Sequence, residues 1–217
     1  MTVDHHDYKC PLNALDKRLA DVHFQWHHAE SMYFNPDSFR LAIQASIQTL
    51  RTVTFIVQSN KGLIPDFASW YQEWQDRLRA DPLMRWMVDA RNTIEKRGDL
   101  ELYSYVQAEI VASYLPEGPS IQVPADLWSA PLELQRRIPS NELGDHIRNN
   151  GTLRIRRRWI ENSLPDYELL DAVAIAYGRL SELVDDAHRQ LNLPAPTTVH
   201  EETGEVYPKR LTRNEVG

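Results

Sequence analysis

Apolar positions recur at steps of three and four over much of the chain, the spacing of a helix that buries one stripe. Leu12, Leu15, Leu19, Val22, Trp26, Ala29 and Tyr33 make the first stripe, with Pro11 just ahead of it, where a missing N–H costs little. Phe39, Ile43, Ser46, Leu50, Val53 and Val57 make the second. Asn35 and Pro36 read as N-cap and first helical residue, so the intervening turn is tight and the two helices pack antiparallel. Lys61 and Gly62 end the second helix, and Pro65 opens a third with Phe67, Trp70, Trp74 and Leu78 on its apolar face. Asp81 and Pro82 repeat the cap-plus-proline signature before Leu83, Trp86 or Met87, Ala90 and Ile94. Gly98, after Lys96 and Arg97, suits the left-handed residue that closes a helix.

Beyond Gly98 the period changes. Leu100, Leu102, Tyr103, Tyr105, Val106, Ile110, Val111 and Tyr114 read as strand in preference to helix. Pro116, Pro119, Pro124, Pro131 and Pro139 forbid a long helix through the next stretch. Asn149, Asn150 and Gly151 predict a tight hairpin turn. The run that follows alternates, with Leu153, Ile155, Arg157 and Trp159 on one side and Arg154, Arg156 and Arg158 on the other. Leu170, Val173, Tyr177, Leu180, Val184, Ala187 and Leu191 then form the clearest helical stripe, with Ser163 and Asp166 resembling a capping box ahead of it. The expected architecture is mainly α: an up-and-down bundle of about five helices with a small β-rich insertion between helices four and five. Residues 1–11 read as a flexible start, 12–193 as one helical domain with the insertion at 99–161, and 194–217 as a polar tail with a small turn at Thr203–Gly204.

Composition narrows the function classes. With 24 basic and 31 acidic residues the net charge is −7, which excludes a nucleic-acid binder that is basic over its whole surface but leaves room for a local basic stripe. No apolar run reaches the length of a membrane span, the first ten residues lack a secretory layout, and Cys10 is the single cysteine. These features point to a cytoplasmic protein with no internal disulfide and no multi-cysteine zinc site. The chain has only 8 glycines and no glycine-rich phosphate-binding motif, so no nucleotide cofactor is expected.

The segment ARNTIEKRGDLE, residues 90–101, offers one chemical lead. Arg91 and Asn92, followed by Lys96, resemble the signature of the HEPN superfamily, in which an arginine, often followed by asparagine, precedes a histidine. The resemblance covers roughly residues 12–97 and 164–192, with Lys96 standing where the histidine belongs. It implies an all-helical domain, a homodimer with the motif helices facing each other, and metal-independent cleavage of RNA in a toxin–antitoxin or phage-defence setting, with an antitoxin or defence component as protein partner. Arginine suits the phosphate through its fixed fork of donors. Lysine, with an ordinary pKa of about 10.4, is a poor proton shuttle at neutral pH. At ~100° per residue Asn92 and Lys96 share a helix face while Arg91 points elsewhere, with Glu95 in reach at i+4. The expected function is therefore a HEPN-like module that acts by interaction or scaffolding without full catalytic machinery. The alternative is an endoribonuclease using Arg91, Asn92 and Lys96.

Other clusters are weighed beside it. His23, His27 and Glu30 lie on one face of the first helix and make half a metal site, the basis of a more remote metal-binding reading. Asp4, His5, His6 and Asp7 cluster at the start of the chain. Arg154, Arg156 and Arg158, with Arg148 nearby, form the one basic patch, open to RNA, to an acidic partner or to internal pairing. Glu182, Asp185, Asp186 and His188 read as a solvated acidic helix end, with His188 within reach of Asp185. The tryptophans fall on apolar stripes and belong to the core, except Trp128, a candidate exposed anchor.

Overall fold

The computed structural model describes residues 10–111, 120–123, 125, 131–137, 150–193, 197–199 and 206–208. The fold is mainly helical with a small three-stranded antiparallel sheet. Helices α1 (Asn13–Ser31), α2 (Pro36–Ser59), α3 (Phe67–Ala80) and α4 (Pro82–Arg97) precede the sheet, a short α5 (Pro131–Arg136) lies within it in sequence, and α6 (Leu169–Gln190) follows it. The capping chemistry explains several boundaries. Asn35 accepts from the Ser38 amide and Asp81 from those of Leu83 and Met84, and in each case a proline occupies the first helical position. Gly98 closes α4 at φ 86°, the left-handed region that favours glycine.

Two helix starts differ from expectation. The third helix begins at Phe67 rather than Pro65, because Asp66 takes a left-handed conformation (φ 46°) just before it. The last begins at Leu169, where the Glu168 carboxylate accepts from the amides of Leu170 and Asp171. Ser163 forms no capping box; its amide and hydroxyl both donate to Glu161 Oε2.

Strand β1 (Leu102–Val111) pairs antiparallel with β3 (Thr152–Glu161) along its whole length, from Leu102 opposite Glu161 to Val111 opposite Thr152. Strand β2 (Ser120–Val123) adds to the other edge of β1, giving the order β2-β1-β3. The alternation that predicted β3 holds at its centre, with Arg157 and Trp159 buried and Arg156 and Arg158 exposed. The hairpin expected at Asn149–Gly151 is corrected: Asn150 is helical, and β3 pairs with a strand far back in the chain. Part of the tail also pairs, β4 (Thr197–Val199) with β5 (Val206–Pro208). Trp128, Asp4, His5, His6, Asp7, Arg148 and the turn at Thr203–Gly204 lie outside the described residues.

Helix α2 packs against α1, α4 and α6 through an apolar stripe that includes Phe39, Ile43, Ile47, Leu50, Val53 and Val57. Indoles tie the layers together. Trp26 Nε1 donates to the Leu170 carbonyl at 2.8 Å, joining α1 to α6. Trp159 stacks on Phe39 with ring centres 4.6 Å apart and donates to the Tyr33 carbonyl, joining the sheet to the α1–α2 turn. Burying such a side chain contributes about 1.5–3 kcal/mol, so these contacts set the relation of sheet to helices. A smaller core of Ala108, Ile110, Val123 and Leu134 seats α5 on the sheet.

Candidate functional site

On α4, Arg91 Nη2 lies 2.8 Å from Glu95 Oε1, and Arg91 Nη1 donates to Asn92 Oδ1 at 3.1 Å. The guanidinium is thus engaged on its own helix, as the i+4 spacing predicts. Lys96 is exposed and shares no hydrogen bond with the pair. Asp99, just past α4, is held by Arg40 and Gln44 of α2 and fastens the end of the motif segment to the helix behind it.

His23 and His27 meet edge to face at 4.6 Å, and His27 Nδ1 lies 3.1 Å from Glu30 Oε2. The three do not converge on a common point; among the described residues, three metal-type donors come together only at Cys10, Asp16 and His188. In the basic patch, Arg154 pairs with Glu109 across the sheet at 3.1 Å and Arg158 donates to the Asp166 carbonyl at 3.3 Å. Arg156 remains exposed between them. Most of that patch is used internally.

At the acidic end of α6 Glu182 is exposed, but Asp185, Asp186 and His188 are partly or fully buried. His188 is only 2 % exposed, and its Nε2 lies 3.3 Å from Asp16 Oδ2. Asp186 Oδ2 accepts from the indoles of both Trp70 and Trp74, each at 2.7 Å. Burial pushes the Asp185 carboxyl above its ordinary range.

A cleft of about 400 Å³ opens between α2, α3 and α4, within the size range of ligand sites. Its floor is apolar, built from Leu50, Met84, Met87 and Leu180. Its polar wall holds Arg51, Arg79 and Arg85, together with Gln58 and Tyr71; Asp89 is its one acidic lining residue. Gln58 donates to the Tyr71 hydroxyl at 3.0 Å and to the Thr54 carbonyl at 3.3 Å, which fixes the deep end. Arg51 reaches Thr54 Oγ1 and lies over the Phe55 ring at 4.5 Å. Among the described residues neither Arg51 nor Arg85 pairs with a carboxylate, and the Arg79–Asp76 contact is a 3.8 Å pair exposed on both sides. Burial pushes the Arg51 pKa below its ordinary value; Tyr71 works against this and Arg91 adds to it. The group stays charged, since arginine does not lose its proton in proteins. A partly buried arginine with no carboxylate partner among the described residues is suited to an incoming anion.

This cleft was not singled out in the sequence. Its one local signal is Arg51 and Thr54 interrupting the most apolar stretch of α2, a polar intrusion that a purely structural stripe does not need.

Comparison with known proteins identifies the chain's relatives. The family model described as bacteriophage lambda protein ea47 matches residues 4–215. Protein ea47 of Escherichia phage lambda is 36% identical over 185 residues, which cover 82% of this chain and 44% of that protein. The chain therefore spans less than half the length of this curated relative. No solved structure matches it. No helix among the described residues is long and apolar enough to cross a membrane.

These matches overturn the HEPN resemblance. That resemblance rested on an arginine–asparagine pair and a nearby basic residue at a helix C-terminus, where cations are favoured by the helix dipole whatever the family. The chain belongs to the phage lambda ea47 family.

Proposed function

We propose that the chain is a non-catalytic binding module whose α2–α3–α4 cleft seats an anionic group carried on an apolar body. Arg51 carries this reading: it lines the cleft, donates to Thr54 Oγ1, and pairs with no carboxylate among the described residues. Arg79 and Arg85 also line the cleft, in a chain whose net charge is −7. Focused potential of this kind raises the local concentration of an anion even when the molecule as a whole repels it. The floor of leucine and methionine side chains supplies apolar contact. A protein partner, or a second copy of the chain in a homodimer, presents this chemistry through an acidic side chain beside an apolar one.

The endoribonuclease reading asks Arg91, Asn92 and Lys96 to meet at one phosphate. Arg91 instead holds Glu95 and Asn92 while Lys96 stands exposed, so the geometry favours binding over cleavage. A titration with naphthoate, an anion on an apolar ring, tests the proposal, with naphthalene methanol as the neutral comparison. Naphthoate is expected to bind saturably and shift the amide resonances of Gln58 and Tyr71, and R51M is expected to abolish this. Equal binding of the two compounds, or unchanged binding by R51M, refutes the reading.

A further inference from the structure

The segment before α1, the first turn of α1 and the last turn of α6 meet at one point. There Cys10 Sγ lies 3.5 Å from His188 Nε2, and Asp16 Oδ2 lies 3.3 Å from the same nitrogen. All three donor atoms lie within 4.8 Å of one another. His188 Nδ1 is 2.8 Å from the Val184 carbonyl, one turn back on α6. A carbonyl only accepts, so Nδ1 carries a proton, and in the neutral ring Nε2 presents its lone pair to the cysteine and the aspartate. A ring nitrogen held this way by a backbone carbonyl is the outer arrangement typical of a metal-ligating histidine.

Other uses of the three residues fit less well. A nucleophile–histidine–carboxylate relay places the nucleophile on one ring nitrogen and the carboxylate on the other. Here both face Nε2, and the far nitrogen belongs to Val184. Neutral imidazole and carboxylate are both acceptors, so 3.3 Å between them calls for a positive species. An imidazolium proton on Nε2 supplies one, and so does a metal cation; the second oxygen, Asp16 Oδ1, is buried and accepts no hydrogen bond. The distances fit a metal ion. With Zn–S about 2.3 Å and Zn–N and Zn–O about 2.0–2.1 Å, a tetrahedral ion has sulfur–nitrogen edges of about 3.5 Å and nitrogen–oxygen edges of about 3.3 Å.

We propose that Cys10 Sγ, Asp16 Oδ2 and His188 Nε2 form a Zn²⁺ site that clips the segment before α1 to the end of α6. The mixed sulfur, nitrogen and oxygen set favours zinc over calcium or magnesium, which take oxygen alone. Three protein donors leave one tetrahedral position for water or an external donor. Binding displaces the thiol proton, and any proton on His188 Nε2, to solvent and leaves the oxidation states unchanged.

The test is zinc titration of the full chain by calorimetry, with Co²⁺ as spectroscopic probe, in wild type, C10S, H188Q and H5A/H6A. One equivalent of zinc is expected in wild type and in H5A/H6A, and Co²⁺ is expected to give thiolate charge-transfer absorption and the intense visible bands of a tetrahedral ion. C10S, nearly isosteric, should keep the metal-free circular dichroism, lose the charge-transfer band, and weaken zinc binding by more than about 100-fold, beyond what changes outside the first coordination sphere produce. H188Q should do the same where it folds. Absence of stoichiometric zinc in wild type, a smaller loss in C10S, or loss of binding in H5A/H6A overturns the proposal.

Discussion

Removing the Asp186 carboxylate should destabilise the fold through two tryptophans at once. Trp70 and Trp74 are one helical turn apart on α3, 8 % and 5 % exposed, and both donate to Asp186 Oδ2 on α6 at 2.7 Å. A hydrogen bond to a charged group contributes about 1.5–3 kcal/mol, and a buried donor left without a partner costs about 1–3 kcal/mol. The two bonds share one oxygen and are not additive, so Asp186→Ala should cost about 2–4 kcal/mol. Arg189 adds little, because it is 65 % exposed. Asp186→Asn keeps an acceptor for both indoles and loses only the charge, so about 1 kcal/mol is expected. Urea unfolding at neutral pH measures both, and near-ultraviolet circular dichroism reports the indoles. A loss below about 0.5 kcal/mol for D186A, or equal losses for D186A and D186N, would refute the reasoning. The sign with pH follows as well. Burial pushes the Asp186 carboxyl up, but the two indoles and Arg189 together outweigh it and hold the pKa below its ordinary value. Its contribution is therefore complete above the unfolded pKa of about 3.9 and is lost as pH falls through the folded value, so wild type and D186N should converge only in acid.

Substitutions at two further positions separate backbone strain from packing and binding from stability. Gly98→Ala should cost about 1 kcal/mol by urea unfolding, because φ is 86° while a Cβ there meets nothing within 4 Å; Gly98→Asn, which tolerates this conformation, should cost less, and equal costs would point to something other than the backbone. Arg51→Met loses the Thr54 hydrogen bond and the Phe55 stack but also relieves an uncompensated cation beside Arg91. Its stability should change by less than about 1 kcal/mol while naphthoate affinity falls at least tenfold, about 1.4 kcal/mol; a destabilisation above about 2 kcal/mol would make Arg51 a structural residue.

Several local signals place their elements where the structure has them. Asn35–Pro36, Asp81–Pro82 and Gly98 each act within three or four residues, and each sits where its chemistry places it. The strand alternation from Leu153 to Ile160 is equally local, and it put Arg157 correctly with Trp159 on the buried side. The misplaced helix starts are local rivalries: Ser163 and Asp166 match a capping pattern, but Glu168 lies nearer the first buried turn and satisfies two amides there. The Arg91–Glu95 pair was also legible from its i,i+4 spacing. The cleft was not legible, because Arg51, Arg79 and Arg85 stand on three different helices and only packing brings them to one wall.

The end of α6 shows why such sites escape a local reading. Carboxylates near a helix C-terminus oppose the dipole by a few tenths of a kcal/mol, which by itself predicts a solvated and slightly unfavourable cluster. Residues 185, 186 and 188 are turned ~100° per step around the helix, so each faces a different neighbour. Asp186 meets indoles 116 and 112 residues earlier, and His188 meets Asp16 and Cys10 at separations of 172 and 178. Two strong indole donors outweigh the dipole term several times over, and the buried imidazole is positioned by a carbonyl of its own helix. The penalty visible in the sequence is thus offset by partners that exist only once α1 and α3 have packed on α6, which makes this helix end a place where the fold is locked as well as a place where a metal can be held.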